Sequence, residues 1–374
     1  PFLSLYSQMY PAVVDDQMVW VVDGYTTTAE YPYAQSVDLD QTVNDSQTDP
    51  NATASNRERS ANYMRNSVKA TVDAYDGTVH MYVFDQADPL IKAYATLFPT
   101  LFEPASAMPT DFRSHARAPE AMFRAQAEMY RTYHMREADL FYNRADQWDL
   151  ATSTTGQASG TVNVTPTYAI ATLPGEKDPE FLLSIPFTPR GKQNLIGMML
   201  ARCDGEHLGE VVFLELPKQE IIQGPIQIEA LINQDQVISK DLTLWNQQGS
   251  QVLRPPILTL PIDNTFMYVA PVYIQAAEAR MPQLKKVALA VGNTLVYEDT
   301  YEQALAALAN AQGRSIQAAA APAVTRSSTS AAPQSDNKIL EIRQHLQRYR
   351  ELTSQGKLSE AGRELEAIDG LTRR

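Results

Sequence analysis

Cysteine is nearly absent. Cys203 is the single one in 374 residues, so no disulfide can form within the chain, and the fold must be held by its core, hydrogen bonds and charges. That fits a reducing compartment, and equally an envelope protein large enough to need no staple. Basic residues are in deficit: 31 Lys and Arg against 44 Asp and Glu give a net charge of −13, which argues against nucleic acid or an anionic membrane surface as the main partner. Long apolar runs are missing too. The best candidate, Pro256 to Ala277, carries Asp263-Asn264 in its middle and prolines at Pro256, Pro261 and Pro271, and reads as two strands around a turn rather than a membrane span. No charged-then-apolar leader opens the chain, which begins at Pro1 without Met, so a fragment of a longer protein is expected. Catalytic signatures are also missing: no GxSxG, HExxH, phosphate loop, CxxC or strand-following GxGxxG is present. No cofactor and no metal centre are expected.

What is present is ordinary globular composition, 44% hydrophobic and 20% charged, enough for a substantial core. The organising stretch is Val68 to Asp85, two strands flanking the turn pair Asp76-Gly77. Pairing across a two-residue turn sets Ala74 opposite Val79, Val72 opposite Met81 and Ala70 opposite Val83, an apolar face expected to look into the core. Asp73 then pairs with His80 and Thr71 with Tyr82 on a polar-aromatic face.

Upstream, Gln17 to Thr26 predicts a first strand, buried on both faces. Residues 36–60 are rich in Asp and Asn, which suits a solvated loop better than a calcium site. After the hairpin, Asp88-Pro89 opens a short helix. Pro119 opens another, on which Met122, Phe123, Gln126, Met129, Tyr130 and Tyr133 form a stripe that is either core or the wall of a groove. His115 and His134 are a weak metal signal. Strands are expected at Thr167–Leu173, Glu180–Phe187, Glu210–Leu216, Ile226–Ile232, Pro256–Leu260, Phe266–Ile274, Lys286–Val291 and Thr294–Glu298. The last two close around Gly292-Asn293. Helices are expected at Leu195–Asp204 and Val237–Gln247, and one to about Ala309 opens with the capping box Thr300/Gln303. The fold class is therefore α+β with a mostly antiparallel sheet. The expected organisation is a domain over 1–310, with room for a division near 151–165, an Ala/Ser/Pro-rich linker over 311–335, and a helical αα-hairpin over 336–374.

Two constellations bear on chemistry. Arg190 and Lys192 precede the expected helix that begins with Gln193 and Asn194, where cations oppose the positive end of the helix dipole. A bound anion would relieve that conflict, as would a salt bridge to Asp204 or Glu229. The second is a polar set, Arg65, Asp73, Arg202, Asp204, Gln227 and Glu229, in which Gln227 and Glu229 alternate along the expected strand. With Trp245 close by, it resembles either the lining of a sugar or peptide groove or an ordinary solvent face. Cys203, inside the expected helix, reads as a buried inert thiol.

The segment Tyr63 to Val79, YMRNSVKATVDAYDGTV, resembles the signature of uncharacterised protein family UPF0182. IPFTPRGKQN from Ile185, ARCDG from Ala201, GPIQIEALINQD from Gly224 and LTLWNQQGS from Leu242 follow in the same order. The resemblance implies a multi-pass membrane protein of which this chain is only the large extracytoplasmic part. Its own N-terminal membrane helices are then an expected partner, together with an envelope ligand or a homo-oligomer. It implies a binding or assembly role and assigns no chemistry. The alternative is an envelope hydrolase or transferase using Asp73, His80, Asp204 or Glu229 as acid or base. Convergence of these groups in one cleft would favour the enzyme, and dispersal would favour binding.

Overall fold

A computed structural model describes residues 2–6, 8–39, 42, 60–154, 160–217, 219–247, 249–262, 265–276, 281–311 and 348. The chain divides into two compact units, Pro1–Ile316 and Gln317–Arg374. The expected linker and αα-hairpin lie almost wholly outside the described residues, as does most of the acidic stretch 36–60. The first unit is α+β, and every pairing between its strands is antiparallel.

The first sheet holds β1 (Ser4–Leu5), β2 (Tyr10–Val14) and β3 (Gln17–Thr28). The short pair β4 (Val37–Asp38) and β5 (Ser60–Ala61) stands apart, and β6 (Tyr63–Asp73) and β7 (Val79–Val83) complete the sheet in the order β1–β3–β6–β7, with β2 also on β3. Asp15 and Asp16, at φ 50° and 64°, turn β2 into β3, the left-handed pair that a tight hairpin needs and Asp tolerates.

The β6–β7 register departs from expectation. Asp73 pairs with Thr78 through its N–H, and Val72 stands opposite Val79 and Ala70 opposite Met81. The loop has four residues because the Asp73 carboxylate accepts from the N–H groups of Tyr75 and Asp76, an Asx turn that outcompetes the two-residue turn. The shift by two keeps each residue on its expected face, and burial divides along the hairpin rather than between its faces. Val68 and Ala70 on the apolar face are buried, and so are Lys69, Thr71 and Tyr82 on the polar-aromatic face, where Phe112 and Met108 pack over Val19, Val21 and Tyr82, while His80 on that face is exposed. The apolar face leaves Val79, and Trp20 and Met18 of β3, exposed. β3 is therefore not buried on both faces along its length.

A bulge between Gly24 and Tyr25 of β3 sets the consecutive Asn66 and Ser67 of β6 both inward. Ser67, Thr26 and Tyr63 all donate to the fully buried Asp88 carboxylate, which also caps α1 (Pro89–Leu97) through the N–H groups of Leu90 and Ile91. The cap-and-proline start is as expected. Glu103 closes the β7 edge: its N–H donates to the Met81 carbonyl, and its carbonyl accepts from the Val83 N–H.

Helices α2 (Thr110–His115), α3 (Glu120–Tyr133) and α4 (Ala138–Asn143) lead into the second sheet. Its strands are β8 (Trp148–Leu150), β11 (Thr167–Ala171), β12 (Glu180–Pro189), β13 (Gly197–Arg202) and β14 (Val211–Glu215), in the order β11–β12–β13–β14 with β8 on β12. β9 (Thr152–Ser153) and β10 (Val162–Asn163) form a small separate pair. The helix expected at Leu195–Asp204 is β13. All six of its residues are buried, Met198 and Leu200 on one core, Met199 and Ala201 on the other. A strand buried on both faces is a continuous apolar run, so periodicity cannot distinguish it from a helix. Gly197 is needed there, because a Cβ would fall 2.4 Å from the Phe213 ring.

The opposite error falls at Ile226–Ile232, where the expected strand is α5 (Pro225–Gln234). Pro225 opens it, and the Gln227 side chain turns back to accept from the Gly224 N–H at 2.9 Å. Ile228 and Ile232, at helical spacing, enter the core beneath the second sheet. α6 (Gln236–Trp245) follows, capped by Asp235. The third sheet holds β15 (Ser250–Leu253), β16 (Leu258–Ile262), β17 (Thr265–Ala276), β18 (Pro282–Val291) and β19 (Thr294–Glu298). Val291 pairs with Thr294 around Gly292-Asn293, as the sequence indicates. α7 (Tyr301–Ala311) covers its outer face through Ala304 and Leu308, and the Gln303 N–H donates to Thr300 Oγ1.

Within the first sheet, Lys69 lies directly across from Asp23 and is fully buried, its Nζ 2.6 Å from Asp23 Oδ1 and 3.1 Å from the Arg117 carbonyl. Removing one member of a buried pair strands the other charge and costs about 3–5 kcal/mol. Lys69→Met should lose that much stability in denaturant melts. Adding Asp23→Leu should recover most of it. A double variant no more stable than the single would show that the pair itself is net stabilising.

Candidate functional site

The residues singled out from the sequence do not meet. Arg190, Lys192, Gln193 and Asn194 occupy the turn from β12 to β13. Because β13 is a strand, the helix expected to start beside them is not there; the helix end next to this turn is that of α5, whose N-cap Gly224 lies so close that a Cβ would fall 2.1 Å from the Gln193 carbonyl oxygen. The Arg190 guanidinium donates to Gln147 Oε1 at 3.0 Å, while the Gly191 N–H donates to Asp149 at 3.2 Å. Neither Asp204 nor Glu229 takes the expected salt bridge. Asp204 accepts from the Phe181 N–H, and Glu229, on α5 and not a strand, accepts from Ser153 and Thr154.

The other polar candidates are equally local. Arg65 pairs with Asp85 at 2.8 Å, Asp73 shapes its own turn, and His80 meets Glu103 at 2.7 Å. Arg202 forks onto Glu180, with Glu176 and Glu210 at 3.8 and 3.6 Å. Gln227 caps α5. Among the described residues, Asp73, His80, Arg190, Arg202 and Glu229 are held by different partners. Cys203 is buried, as expected, but follows a strand. It accepts from the Ala118 N–H at 3.4 Å, and burial pushes its thiol up, away from the thiolate form. Both His134 nitrogens lie against backbone carbonyls, and among the described residues no His/Cys/Asp/Glu group could hold a metal ion.

A concavity lies elsewhere, a groove of about 710 Å³ between α3, the β4–β5 region with the start of β6, and β13–β14. The α3 stripe forms one wall through Met122, Gln126, Met129, Tyr130 and Tyr133, which settles the stripe as groove wall for these residues, while Phe123 is core. Met64, Met199 and Phe213 contribute the opposite walls. Aromatic packing fixes the base, with Tyr130 5.0 Å from Phe213 and Trp148 stacked on Phe213 at 5.1 Å. The strand-side residues carry no periodic signal, because they meet α3 only through the tertiary fold. Volume and apolar lining place the groove within the range of ligand sites.

The model of the Uncharacterised protein family (UPF0182) matches residues 1–245. A UPF0182 protein of Solibacter usitatus is 57% identical over 376 residues, covering 100% of this chain and 40% of that protein. One from Desulforamulus reducens is 43% identical over 306 residues, covering 82% of this chain and 31% of the relative. The chain thus spans well under half the length of these curated relatives. No solved structure matches. Among the described residues, no helix is long and apolar enough to cross a membrane.

Tyr63 joins the groove to the Asp88 network, its hydroxyl donating to Asp88 Oδ1 at 2.6 Å. Burial, then that bond, pushes the phenol up to about 12. Burial alone would raise the Asp88 carboxyl, but hydrogen bonds from Ser67, Tyr63, Thr26 and Leu90 outweigh it and hold it below its ordinary value. A carboxyl depressed by folding stabilises above its unfolded pKa of about 4 and loses that contribution as pH falls through the folded value. Asp88→Asn should therefore cost about 2 kcal/mol at neutral pH, and the gap to wild type should narrow below about pH 4. Denaturant melts at the two pH values measure both, and a gap independent of pH would remove the charge from the explanation.

Proposed function

We propose, for a chain that belongs to the uncharacterised protein family UPF0182, that it is the extracytoplasmic binding portion of a membrane protein of the cell envelope. The observation that carries binding over catalysis is the groove: among the described residues its lining holds no Asp, Glu, Lys, Arg or His, so these residues offer no carboxylate, imidazole or amine as acid, base or nucleophile. The acidic and basic candidates are each engaged in separate local contacts, which supports the same reading. The larger part of each relative lies outside the matched region, and there the proposal puts the membrane helices. The groove then faces the envelope space, and its partners are an envelope ligand and those helices.

The single buried cysteine makes the location testable. Tyr75 is fully exposed at the tip of the β6–β7 hairpin. In the full-length protein, Tyr75→Cys should react in intact cells with a small charged maleimide that does not cross the cytoplasmic membrane, above the background of the parent protein. Reaction only after lysis would place this portion inside the cell and overturn the reading.

A further inference from the structure

Asn62, Tyr63 and the Tyr133–Gln35 pair on the groove are already engaged. Asn62 accepts from the Tyr31 N–H and donates to the carbonyls of Tyr31 and Ala34. Tyr63 donates to Asp88, and Tyr133 donates to Gln35 Oε1 at 3.0 Å. A sugar, a nucleotide or a polar peptide entering here would surrender its bonds to water and find few replacements. A hydrocarbon surrenders none.

The walls suit a flexible hydrocarbon. Met64, Met122, Met129 and Met199 supply thioethers from three elements, and unbranched polarizable side chains adjust to a guest of variable shape. Phe213 and Tyr130 add a rigid aromatic floor. Charge narrows the choice further. With a net charge of −13 on the chain and no cation among the described lining residues, a free carboxylate or a phosphate monoester meets no counter-charge from them. A chain whose headgroup carries no net negative charge, left at the mouth in water, meets no such penalty.

From these observations, and resting on the envelope reading above, we infer that the groove holds one acyl chain of a membrane lipid that has no net negative charge. The chain lies along α3 against the four methionines, with its headgroup outside. The function that follows is lipid binding by the extracytoplasmic portion, with the thioether-lined slot as the site.

Photo-reactive methionine, incorporated in place of the chain's 12 methionines in cells making the full-length protein, tests this directly. On illumination it bonds to whatever occupies the groove. The expected result is phospholipid adducts at Met64, Met122, Met129 and Met199, well above those at the exposed Met9, Met18 and Met281. Ala125→Trp, which fills the groove from α3, should cut the adducts about tenfold. Val211→Glu should do the same from the other wall, with a charge at a position already 42% exposed, so that folding is preserved. Unchanged far-ultraviolet circular dichroism checks both variants. Protein adducts at the four positions, adducts no greater than at the exposed methionines, or yields unmoved by both variants would each overturn the lipid assignment. If Tyr75→Cys still labels from outside, only the ligand has then been misassigned. If that labelling fails as well, the envelope reading fails with it.

Discussion

The first unit depends on a charge pair that has been taken out of water. Lys69 and Asp23 face each other across β6 and β3, and neither retains appreciable contact with solvent. Such a pair is tolerated only when every remaining bond is satisfied. Asn66 donates a further bond to Asp23, and the Lys69 ammonium lies 4.8 Å from the Phe84 ring. Its last proton goes to the carbonyl of Arg117, which ties the sheet to the segment between α2 and α3. Arg117 in turn lays its guanidinium 3.6 Å from the Tyr10 ring and 4.5 Å from that of Tyr168. The next residue, Ala118, accepts from the Tyr168 hydroxyl and donates to Cys203. One short segment is thus bonded to both the first and second sheets, and α3 leaves it already oriented to form the groove wall.

Much of this was legible where the signal is local. Asp88-Pro89, Pro119, Thr300/Gln303 and Gly292-Asn293 each act within a few residues, and each marks what it marks in the sequence. The stripe on α3 was legible for the same reason. What failed is decided at a distance. Gly197 to Arg202 reads as a helix until cores are known to lie on both sides of it, and Ile226 and Ile228 imitate a strand although Pro225 and the Gln227 cap start a helix. The charge–dipole argument at Arg190 and Lys192 fell with the first of these, because the helix it placed after Asn194 is a strand.

The hairpin shows a different limit. Alternation sorted its residues onto two faces correctly, yet did not say how far along the strands each face would be covered. The polar face is buried at Lys69, Thr71 and Tyr82 and open at His80, and the apolar face is buried at Val68 and Ala70 and open at Val79 and Trp20. The strand side of the groove was invisible for a related reason, since Tyr33, Val37 and Ala61 become a wall only once β4 and β5 have been brought against α3.

The connection lengths also set an order of assembly. β16 to β19 are neighbours in sequence and pair successively across short turns. β3 and β6 are neighbours in space only, with Val19 opposite Asp73 and Thr28 opposite Tyr63. Pairings that close long loops form late, so the third sheet is expected to form first and the first sheet last. Lys69 and Asp23 then remain hydrated until that final step, and the slot beside α3 stays without its strand-side wall until β3 and β6 have found each other.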